Sequence, residues 1–273
     1  MMSFSRNTVL FLFFVVLLLF VVSSWANPNE PIGSPIRLAS PSPLPYLVSY
    51  CHGRGAANES SPVIIVVPGG AYRAVAVASE GKDVADFLSK SGFCVYVYVY
   101  TTPPVSPMGP TLEMDMALDY IHTQHRWRRV CLLGFSAGGH LVGISAVHGR
   151  HTIQAVGMVY PVVSMYPPIT HNLSRTLLLQ KVDPPADLLE KYSLDRLITP
   201  CFPATFLLHG MVDTTVPYEN SVRLAKALKA ANVTYEFMSS PRAGHGFGMR
   251  MKRMRQSNVV NWPFLLQAWL WKQ

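Results

Sequence analysis

Gly134-Phe135-Ser136-Ala137-Gly138 sets a serine between two glycines, each two residues away. That spacing suits a serine on a turn so sharp that side chains two positions before and after it have no room. The apolar run Val130-Cys131-Leu132-Leu133 stands before it, and Leu141 and Ile144 follow at helical spacing, so the context reads strand, turn, helix. A serine hydroxyl is a poor nucleophile until a base takes its proton, and that base must be steadied by a carboxylate. On such an elbow the chain order is serine, acid, histidine. Asp213 and His245 follow in that order, each just beyond an apolar run read as a strand. Both then stand at the carboxyl ends of strands, where open α/β sheets build their sites.

Acyl transfer also needs N–H donors aimed at the developing oxyanion, each worth roughly 3 kcal/mol. The amide of Ala137 is one candidate. Pro68-Gly69-Gly70-Ala71-Tyr72 supplies the others through Gly70 and Ala71, because its glycines let the backbone come close to a reacting carbonyl. The remaining histidines carry less. His122 and His125 are three apart on a predicted helix without a third ligand nearby, which reads as a solvated face rather than a metal site. His140 and His209 adjoin motif glycines and read as satisfying local hydrogen bonds. No glycine loop with its lysine is present to cradle a phosphate.

The elements that must position these residues follow from alternation. From Pro62 onward, short apolar runs alternate with amphipathic stretches, the pattern of βα units around a mostly parallel sheet with helices on both faces, an α/β class. Strands are predicted over 63–67, 93–100, 130–133, 155–160, 204–208 and 233–238. The first is a continuous β-branched run, as in a strand buried on both faces. Helices are predicted after a Ser79 cap, after a Thr111 cap, over 218–231, and at the end of the chain with Trp262, Leu266 and Leu270 on one face. Residues 28–45 carry six prolines and read as an extended lead-in without a core. Residues 162–200 read either as a small lid near the acyl pocket or as a core crossover.

At 273 residues and 49% hydrophobic, the chain is too apolar for disorder and long enough for a large core. The formal net charge of +8 is scattered apart from Arg242, Arg250, Lys252, Arg253 and Arg255. No aromatic-studded basic stripe accompanies them, which argues against a nucleic-acid partner.

Residues 9–22 are an unbroken apolar run behind Arg6, short for a bilayer span. Ser24 and Ala26 then form a small-x-small cleavage site, so residues 1–26 read as a secretory signal peptide, with an uncleaved membrane anchor as the alternative. Both readings put the rest of the chain outside the cytosol. The sequons at Asn58, Asn172 and Asn232 fit a glycosylated surface. Of the four cysteines, Cys94 and Cys131 lie inside strand-like runs and read as core thiols, which leaves Cys51 and Cys201 as the pair open to a disulfide.

Pro-Gly-Gly-Ala-Tyr at 68–72, Glu80-Gly81, Gly-Phe-Ser-Ala-Gly-Gly-His-Leu at 134–141, Tyr160-Pro161, Val212-Asp213 with Val216-Pro217, and Gly244-His245-Gly246 resemble the α/β-hydrolase esterases related to acetyl xylan esterases. The likeness covers about residues 62–270, and residues 62–273 are taken as the catalytic domain after a lead-in and first strands at 27–61. The resemblance implies an α/β-hydrolase fold and hydrolysis of short acyl esters, often O-acetyl groups on carbohydrates. Ser136, Asp213 and His245 fall on its triad positions, and no cofactor or metal is implied. The implied partner is a small-molecule or glycan ester, with a membrane only if the leader is retained. Ala71 stands where the lipase-type His-Gly-Gly-Gly loop carries its third glycine. Two other readings share the residues: a serine amide hydrolase on the same scaffold, and a binding protein on a retired one.

Overall fold

The computed structural model describes residues 35–38, 44–51, 62–125, 129–256 and 259–273. Residues 1–26, expected to be a signal peptide, and Asn58 lie outside the described residues. Eight strands form one sheet in the order β1-β2-β4-β3-β5-β6-β7-β8. They are β1 (Pro35–Arg37), β2 (Tyr46–Ser49), β3 (Val63–Val67), β4 (Cys94–Val99), β5 (Val130–Phe135), β6 (Ala155–Val159), β7 (Ala204–Gly210) and β8 (Tyr235–Ser240). From β4 to β8 every neighbour is parallel, whereas β1 and β2 add an antiparallel edge.

The central strands are apolar at every position because both of their faces are covered. All five residues of β3 and all six of β5 are buried. On one face lie α2 (Gly109–Gln124), α3 (Ala137–His148) and α6 (Glu219–Ala230), through Met114, Leu118, Ile121, Leu141, Ile144, Leu224 and Leu228. On the other lie α1 (Asp83–Lys90) and the closing helix α8 (Trp262–Leu270), which follows α7 (Met251–Gln256), through Val84, Leu88, Trp262, Leu266, Trp269 and Leu270. Trp262, Leu266 and Leu270 of α8 are buried as their spacing predicts, and Phe264 and Leu265 face outward.

Several expectations change. The turn around Ser79 is a π-helical stretch, Val77–Lys82, that runs directly into α1, so Ser79 caps nothing and the adjacent Glu80 and Gly81 are buried. Thr111 does not cap α2 either; the helix opens two residues earlier, and Thr111 is buried within it. β5 and β7 run on to Phe135 and Gly210, so His209 lies within a strand rather than following it. The lead-in is not wholly outside the core, since Leu38 is buried there.

The cysteine reading is corrected. Tyr50 donates its amide to Val95 O at 2.8 Å, which brings the end of β2 beside the start of β4, and Cys51 is bonded to Cys94. Cys94 is therefore not a core thiol, and Cys201 is a free, exposed cysteine. Cys131 is the buried thiol expected, its pKa pushed up to about 12 by burial.

Residues 162–200 carry α4 (Asn172–Leu179), α5 (Ala186–Tyr192) and a short 3-10 turn, Leu194–Arg196. Val162, Val163, Met165, Leu178, Leu179, Tyr192 and Leu194 are buried in the same core as α2 and α3, while Val182 is exposed. Much of this excursion is thus packed core rather than a loose cover. No helix among the described residues is long and apolar enough to cross a membrane.

Candidate active site

Ser136 joins β5 to α3 with φ 52°, a positive angle that a non-glycine residue holds only when its surroundings force it. The flanking glycines explain the force. A Cβ on Gly134 would run into the backbone of Gly138, and one on Gly138 would run into the carbonyls of Val67 and Pro68. The turn can therefore be that tight only with glycine at both offsets. The Ser136 amide donates to Val159 O at 3.0 Å, which locks the elbow to the next strand.

The three residues singled out in the sequence meet. Ser136 Oγ lies 2.9 Å from His245 Nε2, and His245 Nδ1 lies 2.6 Å from Asp213 Oδ2. Asp213 Oδ1 accepts the amides of Thr215 and Val216, each at 2.9 Å. Four donors surround this carboxylate, because Oδ2 also stands 3.3 Å from His209 Nε2. Burial alone would raise its pKa. The hydrogen bonds from His209 and His245, the His245 charge and the Val216 amide outweigh that and hold it well below the ordinary carboxylate range. With Asp213 ionised, His245 keeps its proton on Nδ1 and presents a bare Nε2 to the serine hydroxyl.

His209 is more than a local filler. Its Nδ1 accepts the Ser221 hydroxyl at 2.7 Å, and its Nε2 faces Val216 O at 3.0 Å as well as Asp213, so Nε2 carries the proton. Sequence reading had no means to find this, because Ser221 reaches the strand only through the packing of α6.

The loop after β3 stands against the elbow: a Cβ on Gly69 would come within 2.8 Å of Ser136 Cβ. Gly70 has φ 135°, and Ala71 and Tyr72 have φ 59° and 58°, with Gly70 O accepting the amides of Arg73 and Ala74. Among the described residues the amides of Gly70, Ala71 and Ala137 have no hydrogen-bond acceptor, as donors kept for a ligand would. The Gly69 amide is already committed to Glu80 Oε2 at 2.7 Å. Side chains clamp the loop elsewhere. Tyr100 donates its hydroxyl to Pro68 O at 3.0 Å, and Tyr72 donates its hydroxyl to His140 Nδ1 at 2.8 Å.

His140 is wholly buried, and its Nε2–H reaches Tyr192 O at 2.8 Å. Burial pushes its pKa down to about 4, with the Tyr192 carbonyl pulling the other way. In the unfolded chain it titrates near 6.5, so below that pH the unfolded state binds the extra proton and folding loses stability until the pH reaches about 4. Between pH 7 and 4.5 this one group is expected to cost about 2–3 kcal/mol. Denaturant unfolding of wild type and His140→Gln at both pH values checks it, and an equal acid loss in the two proteins refutes the assignment.

His171 caps the head of α4. Its imidazole is held below its ordinary pKa by burial and then by the His245 charge, with Asp213 opposing, and its Nδ1 lies 2.8 Å from the Ser174 hydroxyl. His125 is not on a solvated face: it caps the C-terminal end of α2 partly buried, its Nε2 2.8 Å from the Tyr96 hydroxyl and 3.6 Å from Cys94 Sγ. Cys51, Cys94 and His125 form the one three-ligand cluster among the described residues, but its two sulfurs are joined to each other and offer no thiolate. A cavity of about 280 Å³ between the ends of β7 and β8 and α8, lined by Met238, Ser239, Asn261 and Leu265 among others, holds no catalytic group of its own.

The chain is 27% identical over 203 residues to an acetylxylan esterase of Xylanibacter ruminicola, covering 70% of this chain and 42% of that protein. It is 27% identical over 225 residues to endo-1,4-beta-xylanase B of Butyrivibrio fibrisolvens, covering 74% and 34%. The chain thus spans less than half the length of either relative. Among solved structures, the acetyl ester-xyloside bifunctional hydrolase of Caldicellulosiruptor lactoaceticus superposes with a TM-score of 0.79 at 28% identity, over 90% of this chain and 98% of that one. A carboxylesterase of Lactobacillus plantarum, at 22% identity and a TM-score of 0.71 over 88% and 97%, shares the fold. The prolyl oligopeptidase family model matches residues 116–268, from within α2 to within α8 and through the elbow, Asp213 and His245. Matched over more than half of its length, the chain belongs to the prolyl oligopeptidase family and carries the α/β-hydrolase fold.

Proposed function

We propose that the protein is a serine esterase that removes short acyl groups, O-acetyl groups on carbohydrates foremost, through an acyl-enzyme on Ser136. The observation that carries this is the continuous hydrogen-bonded line from Ser136 through His245 to a buried, ionised Asp213, beside a loop of uncommitted amides. Ser136 Oγ attacks the ester carbonyl as His245 Nε2 takes its proton. Asp213 holds the imidazole and stabilises the imidazolium. The amides of Ala137, Gly70 and Ala71 receive the oxyanion. Collapse expels the alcohol, protonated by His245, and water then repeats the sequence on the acyl-enzyme to release the acid.

The acetyl preference is supported by the acetylxylan esterase relative and the acetyl ester-xyloside hydrolase structure. A secreted, glycosylated protein is supported by the leader at 1–26 and by exposed Asn172 and Asn232. A second reading, amide hydrolysis, is favoured by the description of the matched family.

Hydrolysis of p-nitrophenyl esters from acetate to decanoate, beside an acyl-prolyl p-nitroanilide, separates these. The acetate is expected to be cleaved fastest and the anilide not at all. Cleavage of the anilide without any ester moves the assignment to amides. A folded protein that cleaves neither and takes no fluorophosphonate label turns the assignment to the binding-protein reading.

A further inference from the structure

Two motif residues take no part in the chemistry above, Glu80 of Glu80-Gly81 and Tyr160 of Tyr160-Pro161. In the fold they bind each other. Glu80 comes from the π-helical stretch before α1 and Tyr160 from the end of β6, and both are buried. Glu80 Oε1 accepts the Tyr160 hydroxyl at 2.8 Å, and Oε2 accepts the Gly69 amide at 2.7 Å. The Tyr160 oxygen in turn accepts the Gly248 amide at 3.1 Å. The Tyr160 ring lies against the His245 imidazole, with centroids 4.8 Å apart, and meets Phe247 edge-on at 4.7 Å.

One carboxylate therefore ties together the loop offering Gly70 and Ala71, the strand end beside the elbow, and the loop carrying His245. The fit at Gly69 shows how directly. A Cβ there would meet Glu80 Oε2 at 2.9 Å on one side and Ser136 Cβ at 2.8 Å on the other, so only the Gly69 backbone separates Glu80 from the serine. Fixing the Gly69 peptide fixes the direction of the next two amides. Gly248, with φ 49° and no room for a Cβ against Ser79 O, closes the third side.

We infer that Glu80 is a positioning residue for the esterase reaction, acting through Gly69 on the oxyanion amides and through Tyr160 on His245; this rests on the serine-esterase reading. Its two oxygens meet only donors, so a carboxylate suits the place and an amide does not. In Glu80→Gln the NH2 must face either the Gly69 amide, donor against donor, or the Tyr160 hydroxyl, which then loses its acceptor. A misdirection of the order of 1 Å at the reacting centre is enough for about a 100-fold loss.

The test uses the full chain with wild type, Ser136→Ala, Glu80→Gln, Tyr160→Phe and the Glu80→Gln/Tyr160→Phe double variant. Glu80→Gln is expected to lower kcat about 10- to 100-fold with KM within about twofold, and to weaken a boronic acid transition-state analogue in the same proportion. Tyr160→Phe, which keeps the ring on His245 but frees one carboxylate oxygen, is expected to lose less, and the two losses are not to multiply in the double variant. A residue that only stabilises the fold would lower the melting temperature and leave kcat, KM and analogue affinity of the folded protein alone.

Unchanged or raised kcat with unchanged analogue affinity in Glu80→Gln overturns the inference. Should that variant fail to fold, Tyr160→Phe decides it, wild-type kcat and analogue affinity there being the refuting result. A wild-type chain that cleaves no ester and binds no boronic acid overturns the esterase reading, and the inference falls with it. An active wild type with an inactive Ser136→Ala leaves the outcome at Glu80 to be read by itself.

Discussion

Ser136→Ala is expected to abolish ester hydrolysis, by about 10⁴- to 10⁶-fold in kcat, while the protein stays folded. The loss is large because nothing near the elbow can stand in for the hydroxyl: His245 Nε2 has Ser136 Oγ as its hydrogen-bonded partner at 2.9 Å. The fold is expected to survive. The turn is held by the Ser136 amide on Val159 O and by the glycines at 134 and 138, and alanine adds no atom to a site that is already tight. A purified variant is compared with wild type for acetate-ester turnover, fluorophosphonate labelling and thermal unfolding. Full activity in the variant sinks the nucleophile assignment. Lost activity together with a large fall in melting temperature makes the loss one of folding and not of chemistry.

Asp213→Asn is expected to cost about 10⁴-fold in kcat with little change in KM, for a reason specific to the way this carboxylate is held. All four of its partners donate. Oδ1 takes two backbone amides, whose hydrogens cannot move, so the asparagine oxygen is compelled to stay there. Its NH2 then faces His245 Nδ1 and His209 Nε2. His209 has little freedom to respond, since its Nε2 proton also serves Val216 O and its Nδ1 accepts from Ser221. His245 is free to respond by moving its proton to Nε2, and in that tautomer it has no lone pair for the serine hydroxyl. The measurement is kcat and KM across neutral pH with unfolding in denaturant as a control. Wild-type kcat in a folded Asp213→Asn protein would show that His245 needs no carboxylate to orient it.

What could be read in the sequence is what local geometry dictates. The elbow is settled within five residues, because the backbone near Ser136 has room only for glycine at 134 and 138. The parallel sheet shows itself in β-branched runs such as 63–67, where every side chain is buried. The order serine, acid, histidine then points to Asp213 and His245 just beyond strand ends, and the fold brings both to Ser136.

What needed the tertiary structure are the partners contributed by distant strands. Glu80 and Tyr160 stand 80 residues apart and meet only because β3 and β6 flank β5 in the sheet. Each stands in a motif of the resemblance, but neither segment shows what the residue binds, and burial is what turns a glutamate into a hub for three loops. His209 reaches Ser221 through the docking of α6, and so a strand-end histidine becomes a second ligand of Asp213. The disulfide is hidden from the sequence for the same reason. Cys94 lies in a run that reads as core, and only the antiparallel register of β2 on β4 carries Cys51 to it. Periodicity tells a chain which side chains to bury and where to turn. Which buried polar groups find one another is decided by strand order, since a hydrogen bond of under 3 Å is fixed by packing and leaves no spacing along the sequence.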